Sequence, residues 1–124
     1  MSGNSLLLDT NIILYYLNGD ETLIPLVEEN YLYVSVINEI ELLGYSDFQK
    51  KELEAVKTFL TYCTSENITN DVKEKAINLR RNWGLKLPDA IILATALSKK
   101  IPFVTADKVF KKIKEGQIIY YDYE

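Results

Sequence analysis

The sequence predicts an α/β fold, a parallel sheet carrying helices on both faces, and three observations predict it. Short apolar, β-branched or aromatic runs alternate along the chain with segments of helical spacing. The run Ala90–Leu97 is apolar on every side, the mark of a helix buried against a sheet. Two distant runs, Leu6-Leu7-Leu8-Asp9-Thr10 and Phe103-Val104-Thr105-Ala106-Asp107, share one pattern of apolar strand, then Thr and Asp, then helix.

Taken in order, Leu6–Leu8 reads as a short core strand that stops at Asp9. Ile12, Ile13, Tyr16 and Leu17 then form a helical stripe that ends at Asn18-Gly19-Asp20. Glu21–Asn30 reads as a second helix, with Pro25 near its first turn. Tyr31–Val36 is aromatic and β-branched and reads as a strand, and Ile37–Tyr45 returns to helical spacing. Ser46-Asp47 suggests a cap for a helix over Phe48–Tyr62. Its apolar stripe of Leu53, Val56, Leu60 and Cys63 opposes a wet face of lysines and glutamates. A short strand is expected over Thr64–Thr69, then a helix over Val72–Trp83 capped by Asn70-Asp71. Leu87-Pro88-Asp89 leads into the buried helix, where an acid in the first turn suits the dipole. Ile101–Thr105 reads as a strand, Lys108–Ile113 as a helix and Gln117–Tyr121 as the last strand.

The 124 residues suit one domain, 1–124, against a usual size of about 100–200 residues. The net charge is −4 and there are only two arginines, the adjacent pair Arg80 and Arg81. That balance argues against simple binding of a phosphate backbone through a basic patch. The arginine pair is read equally as solvated or as one phosphate contact. The nine tyrosines are read as strand and surface packing. One cysteine, Cys63, and no histidine exclude an internal disulfide, Cys/His zinc sites and Ser-His or Cys-His catalysis. Any enzyme here works with carboxylates, hydroxyls, lysines or a hard metal ion. Met1–Ser5 lacks the basic region of a signal peptide, and no apolar run approaches the roughly 20 residues of a membrane span. A cytoplasmic protein with no membrane contact is the expectation.

The candidate chemistry follows from the strand ends. In an open parallel sheet, ligands bind in the crevice outside the carboxyl ends of the strands. Asp9 and Asp107 would share that edge, and Asp89 is compatible with it. Asp9 also fits a plain N-cap of the following helix. Glu39 and Glu41 are two positions apart, about 200° on a helix at about 100° per residue, so only one can face the same crevice. Gathered carboxylates repel one another unless a cation neutralises them, and a hard ion of the magnesium class would do so.

Four pieces, in this order, resemble the PIN domain family, which includes the VapC-type toxin ribonucleases. They are Leu7-Leu8-Asp9-Thr10-Asn11, Val34-Ser35-Val36-Ile37-Asn38-Glu39-Ile40-Glu41-Leu42-Leu43-Gly44, Leu87-Pro88-Asp89-Ala90-Ile91-Ile92-Leu93-Ala94-Thr95-Ala96 and Phe103-Val104-Thr105-Ala106-Asp107-Lys108-Val109-Phe110. The resemblance selects Glu41 over Glu39, since the family's acid stands six positions after the strand serine. It implies a three-layer αβα fold with a central, mostly parallel sheet of about four to five strands. It further implies a catalytic and metal-holding cluster of Asp9, Glu41, Asp89 and Asp107, with Thr10, Asn11 and Thr105 supporting the carboxylates or touching substrate. Mg²⁺ or Mn²⁺ dependence, RNA cleavage, a homodimer and a cognate antitoxin protein complete the implied picture. Asn38 departs from the family's frequent threonine, a change expected to be minor. With so few arginines, Lys86, Lys99, Lys100, Lys108, Lys111 and Lys112 would have to supply the backbone contacts to RNA.

Two rival readings fit parts of the same pattern. A phosphoacceptor receiver domain also gathers acids and Mg²⁺ at strand ends. Here, however, Asp9 has no acidic neighbour, and no lysine follows Thr105 until Lys108. A catalytically silent PIN-like binding module would suit the acidic balance but has no need of all four acids.

Overall fold

The computed structural model describes residues 3–123. Its elements run β1 (Ser5–Leu8), α1 (Thr10–Leu17), α2 (Leu23–Glu28), β2 (Tyr31–Ser35), α3 (Val36–Leu43), α4 (Lys50–Leu60), β3 (Cys63–Glu66), α5 (Asn70–Trp83), α6 (Leu87–Lys99), β4 (Phe103–Thr105), a 3₁₀ helix (Lys108–Lys112) and β5 (Ile118–Tyr120). The five strands form one sheet in the order β3-β2-β1-β4-β5, and every pairing is parallel. The expected α/β sheet is therefore present, parallel throughout.

Alternation along the central strands sends side chains to two separate cores, because successive residues of a strand point to opposite faces. Leu7 and Phe103 join one core with Val72, Ala76 and Leu79 of α5, the apolar residues of α6, and Phe110. Leu6, Leu8 and Val104 join the other with Ile12, Ile13, Leu23, Leu42, Val56 and Phe59. These are the three layers: α5, α6 and the 3₁₀ helix on one face, α1 to α4 on the other. α6 is the buried helix that its composition predicts, with Ala90, Ile92, Leu93, Ala94, Thr95 and Ala96 all inaccessible. Pro88 lies in its first turn, where the missing N–H goes unmissed. Gly84 ends α5 in the left-handed conformation (φ 69°), the position that favours glycine.

Three local expectations are corrected. The fourth helix starts at Lys50, not Phe48, and Gln49 opens it, its N–H donating to Glu52 Oε1 at 2.9 Å. Tyr45 and Phe48 pack edge to face at 4.8 Å and hold the Ser46-Asp47 segment as a turn. Cys63 does not continue that helix. A turn at Thr61 and Tyr62 ends it, with Thr61 Oγ1 donating to Thr58 O at 2.6 Å, and Cys63 opens β3 opposite Leu32. The strand therefore lies ahead of Asn67-Ile68, and Thr69, not Asn70-Asp71, caps α5 by accepting from Val72 N. The Cys63 thiol is half-buried, and burial, then the Glu39 charge, pushes it up to about 11, so it stays protonated at neutral pH.

Candidate active site

The sheet order reverses direction between β1 and β4, and this is where a parallel α/β sheet opens its crevice. β1 pairs with β4 in the register Leu8–Val104, and Asp9 N donates to Val104 O at 2.9 Å. The next residues on each strand, Asp9 and Thr105, consequently stand side by side. Thr105 Oγ1 donates to Asp9 Oδ2 at 2.7 Å and accepts from Asp107 N at 3.0 Å. Asp9 Oδ1 accepts from Thr10 N at 2.9 Å, so Asp9 is both the N-cap of α1 and a member of the site. Asp107 likewise caps the 3₁₀ helix, its Oδ1 accepting from Val109 N at 3.0 Å.

Glu41 reaches the same place from α3. Thr10 Oγ1 donates to Glu41 Oε1 at 2.6 Å and accepts from Asn38 Nδ2 at 2.9 Å. Asn38 is wholly buried, and its Oδ1 accepts from Ser35 N at 2.8 Å in a capping box at the start of α3. One side chain therefore starts the helix and fixes Thr10, which in turn holds Glu41. Glu39 points elsewhere and accepts a hydrogen bond from Ser65 on β3.

Asp9, Thr10, Asn11, Glu41, Asp89 and Asp107 all line one cleft of about 680 Å³. Its lining also includes Leu14, Leu17, Tyr45, Phe48 and Val56, with Asn18 and a fifth carboxylate, Glu52. The electrostatics agree with crowding. Asp9 is 7% exposed, and burial pushes its carboxyl up to about 6, with Asp89 and Asp107 raising it further against the hydrogen bonds of Thr105 and Thr10. Asp89, half-buried in the first turn of α6, is raised by burial first, then by the Asp107 and Glu41 charges, with Lys86 opposing.

Every polar group at this cleft is a carboxylate, hydroxyl or amide, a donor set that suits a hard, oxygen-seeking cation. Among the described residues, no group of three acidic, histidine or cysteine side chains forms a ready-made cage for an ion. Both Asp9 oxygens are already engaged by Thr105 and Thr10. The fit is thus to an ion that keeps most of its waters and takes one or two carboxylates directly, as Mg²⁺ usually does.

The family model of the PIN domain matches residues 6–116. The chain belongs to the PIN domain family. Solved structures agree on the fold. A toxin–antitoxin complex from Klebsiella pneumoniae contains a chain 29% identical, with a TM-score of 0.78, over 92% of this chain and 95% of that one. VapBC2 from Rickettsia felis, bound to a DNA fragment from their promoter, aligns at 21% identity and a TM-score of 0.79, over 95% and 99%. DNA-bound VapBC from Salmonella typhimurium aligns at 17% and 0.78, over 94% and 97%. No curated protein matches the chain. Among the described residues, no helix of this PIN domain is long and apolar enough to cross a membrane.

The basic residues of the PIN domain are unevenly placed. Lys86 stands three positions before Asp89 and Lys108 directly follows Asp107, and neither lines the cleft. Lys99 and Lys111 are engaged over the rings of Tyr33 and Tyr120, at 5.1 and 4.7 Å. Arg80 and Arg81 are exposed in the last turn of α5 and do not line the cleft. Asn38 is the site residue that the sequence left without a role. The Ser35-x-x-Asn38 spacing of a capping box was its one available signal.

Proposed function

We propose that this PIN domain is a metal-dependent endoribonuclease and the toxin of a type II toxin–antitoxin pair, resembling the VapC group. The observation that carries the reading is the convergence of Asp9, Glu41, Asp89 and Asp107 from four chain segments on one cleft at the carboxyl edge of the sheet. The toxin–antitoxin complexes among the similar structures support a cognate antitoxin; a cytoplasmic setting and a homodimer belong to the same proposal.

Asp9 and Asp107 would hold Mg²⁺ or Mn²⁺, directly or through its waters, and Glu41 and Asp89 would complete the set. When bound, such an ion supplies an activated water and offsets charge on the phosphate. The chain's own residues do the rest. Thr105 keeps Asp9 and Asp107 in one arrangement, and the Asn38–Thr10 pair does the same for Glu41. Asp89, half-buried at the same cleft, would orient the attacking water, whose proton passes to solvent. The water oxygen bonds to phosphorus, a bridging P–O bond breaks, and the departing oxygen takes a proton from solvent. Asn11, exposed at the cleft, is suited to donate to a phosphate oxygen.

The test is cleavage of a mixed RNA pool by purified protein with Mg²⁺, with Mn²⁺ and with chelator, beside Asp9→Asn. Metal-dependent cleavage that the variant lacks supports the nuclease, and full activity in the variant overturns these site assignments. A silent binding module is the second reading, favoured by the net charge of −4 and by the lack of a ready-made ion cage among the described residues. No cleavage, together with no heat of Mg²⁺ or Mn²⁺ binding at millimolar concentration, would select it.

A further inference from the structure

The nuclease reading leaves a physical difficulty. A cleft lined by Asp9, Glu41, Glu52, Asp89 and Asp107 repels a polyanion, so phosphate contacts alone supply little affinity. Something charge-independent has to hold the substrate. Aromatic rings do this for single strands, because every base has a π-face.

Beside the cleft stands an aromatic group at the edge of the core: Tyr15 and Tyr121 pack against it, and Tyr123 lies outside it. Tyr15 lies four positions after Asn11, and therefore one turn along the same face of α1 as that cleft residue. The ring of Tyr123 lies flat on it, with centroids 3.7 Å apart and planes within 6°. Tyr121 packs against Tyr123 at 6.2 Å, tilted by 58°. The tail that carries both is tied to the site itself: Tyr121 N donates at 2.7 Å to the carbonyl of Thr105, the residue that holds Asp9 and Asp107. A second tie, Tyr121 Oη to Asp20 Oδ2 at 2.8 Å, pins the tail to the end of α1. One face of Tyr123 is covered by Tyr15, yet the residue is 49% exposed, which leaves its outer face open. The nearness of the site is felt at Tyr15, whose phenol is raised by burial first, then by Tyr123, Asp107 and Asp9.

We propose that the stacked pair Tyr15–Tyr123 is a platform on which an unpaired base of a single-stranded RNA segment stacks beside the acidic cleft. The proposal rests on the nuclease reading for the identity of the ligand. Tyr15 supports the ring of Tyr123 from below, Tyr121 limits its edge, and the base covers its open face. Because stacking needs a free face, a base inside a duplex is excluded, and the platform selects loops, bulges and ends. Because the grip carries little charge, its salt dependence is shallower than that of a basic groove.

The experiment measures affinity by anisotropy, in chelator, for three probes. They are a short single-stranded RNA of mixed sequence, an oligomer with the same sugar–phosphate backbone but no bases, and a duplex of the same length. Wild type is compared with Tyr123→Leu, Tyr123→Trp and Tyr15→Leu. Base stacking contributes about 1–3 kcal/mol per base, so a loss of roughly tenfold in single-strand affinity is expected for Tyr123→Leu. Tyr123→Trp retains binding, and the base-free oligomer binds weakly to every form. Thermal unfolding of each variant checks folding, and cleavage with Mn²⁺ is followed as a separate readout, with the loss expected in KM and not in kcat. If Tyr123→Leu lowers the melting temperature but leaves RNA affinity unchanged, the pair only fastens the tail and the proposal falls, while cleavage by wild type keeps the nuclease reading alive. If base-dependent binding is lost in the variants but wild type cleaves nothing, the platform stands and the nuclease reading falls. If wild type neither binds nor cleaves RNA, both fall.

Discussion

Thr105 donates its hydroxyl proton to the buried carboxylate of Asp9 at 2.7 Å, across 96 positions of sequence. The same oxygen accepts from Asp107 N, so one inaccessible hydroxyl links the first of the four cleft acids in sequence to the last. Replacing it with a group of the same shape isolates that link. In Thr105→Val, Asp9 loses a donor to its charged form and the Asp107 N–H loses its acceptor. An unsatisfied buried group costs about 1–3 kcal/mol, so the variant should unfold at lower denaturant by that amount at neutral pH. The acid limb of the cleavage profile should move to higher pH, because a lost hydrogen bond to the charged form raises Asp9 further. Thr105→Ser keeps the hydroxyl and should recover most of both effects.

Asp9 makes stability depend on pH in a direction opposite to that of most acids. Its carboxyl is raised, chiefly by burial, from 3.8 to about 6. The folded state therefore binds more protons than the unfolded chain between those values, and stability falls as pH rises through that window. A shift of this size corresponds to about 3 kcal/mol, present in full below about pH 4 and lost above about pH 6. Asp9→Asn removes the charge but leaves one mismatched hydrogen bond, worth about 1 kcal/mol. In chelator at pH 7.5 the variant should be the more stable form by about 1–2 kcal/mol, and the advantage should disappear near pH 4. Denaturant titrations at the two pH values check the sign.

The legibility of this fold was uneven for physical reasons. Asp9 and Asp107 could be read directly, because a strand followed by Thr and Asp and then a helix is a local pattern, and parallel strands end on one side. Glu41 could be separated from Glu39 only by resemblance. Periodicity shows that two positions diverge, but not which one turns inward. Packing decides that, with Thr10 receiving Glu41 and Ser65 receiving Glu39. The end of α4 departs from its sequence pattern because Cys63 continues an apolar helical spacing, while the turn at Thr61 and Tyr62 depends on a hydroxyl and strand pairing with Leu32. The Tyr15–Tyr123 stack was invisible, since nothing local links positions so far apart.

Asn38 is more consequential than its place as a substituted family position suggests. It is completely buried and serves both the Ser35 backbone and the Thr10 side chain. Asn38→Ala strands the buried Ser35 N–H and releases Thr10, so a loss of about 1–3 kcal/mol is expected from denaturant unfolding. Cleavage should fall beyond what partial unfolding explains, since Glu41 loses its fixed orientation. Asn38→Thr has a single hydroxyl where two bonds were made, and should lie between wild type and alanine in both measurements.

The two arginines and the two lysines next in sequence to the site acids, Lys86 and Lys108, make opposite predictions about where RNA runs. Lys86 lies close enough to Asp89 to oppose the rise of its carboxyl, and Lys108 adjoins Asp107. Either ammonium could meet a phosphate held at the carboxylates. Arg80 and Arg81 occupy the C-terminal turn of α5, where positive charge complements the helix dipole without any ligand. Lys86→Gln and Lys108→Gln should each weaken single-strand binding uniformly across sequences and reduce the salt slope by about 1. Arg80→Gln and Arg81→Gln should change neither affinity nor slope, and a small loss of helix stability is their whole expected effect. A reversed pattern, with the arginine variants flattening the salt dependence, would move the RNA path to α5 and away from the acids, and no cleavage chemistry at Asp9 and Asp107 could then be reconciled with it.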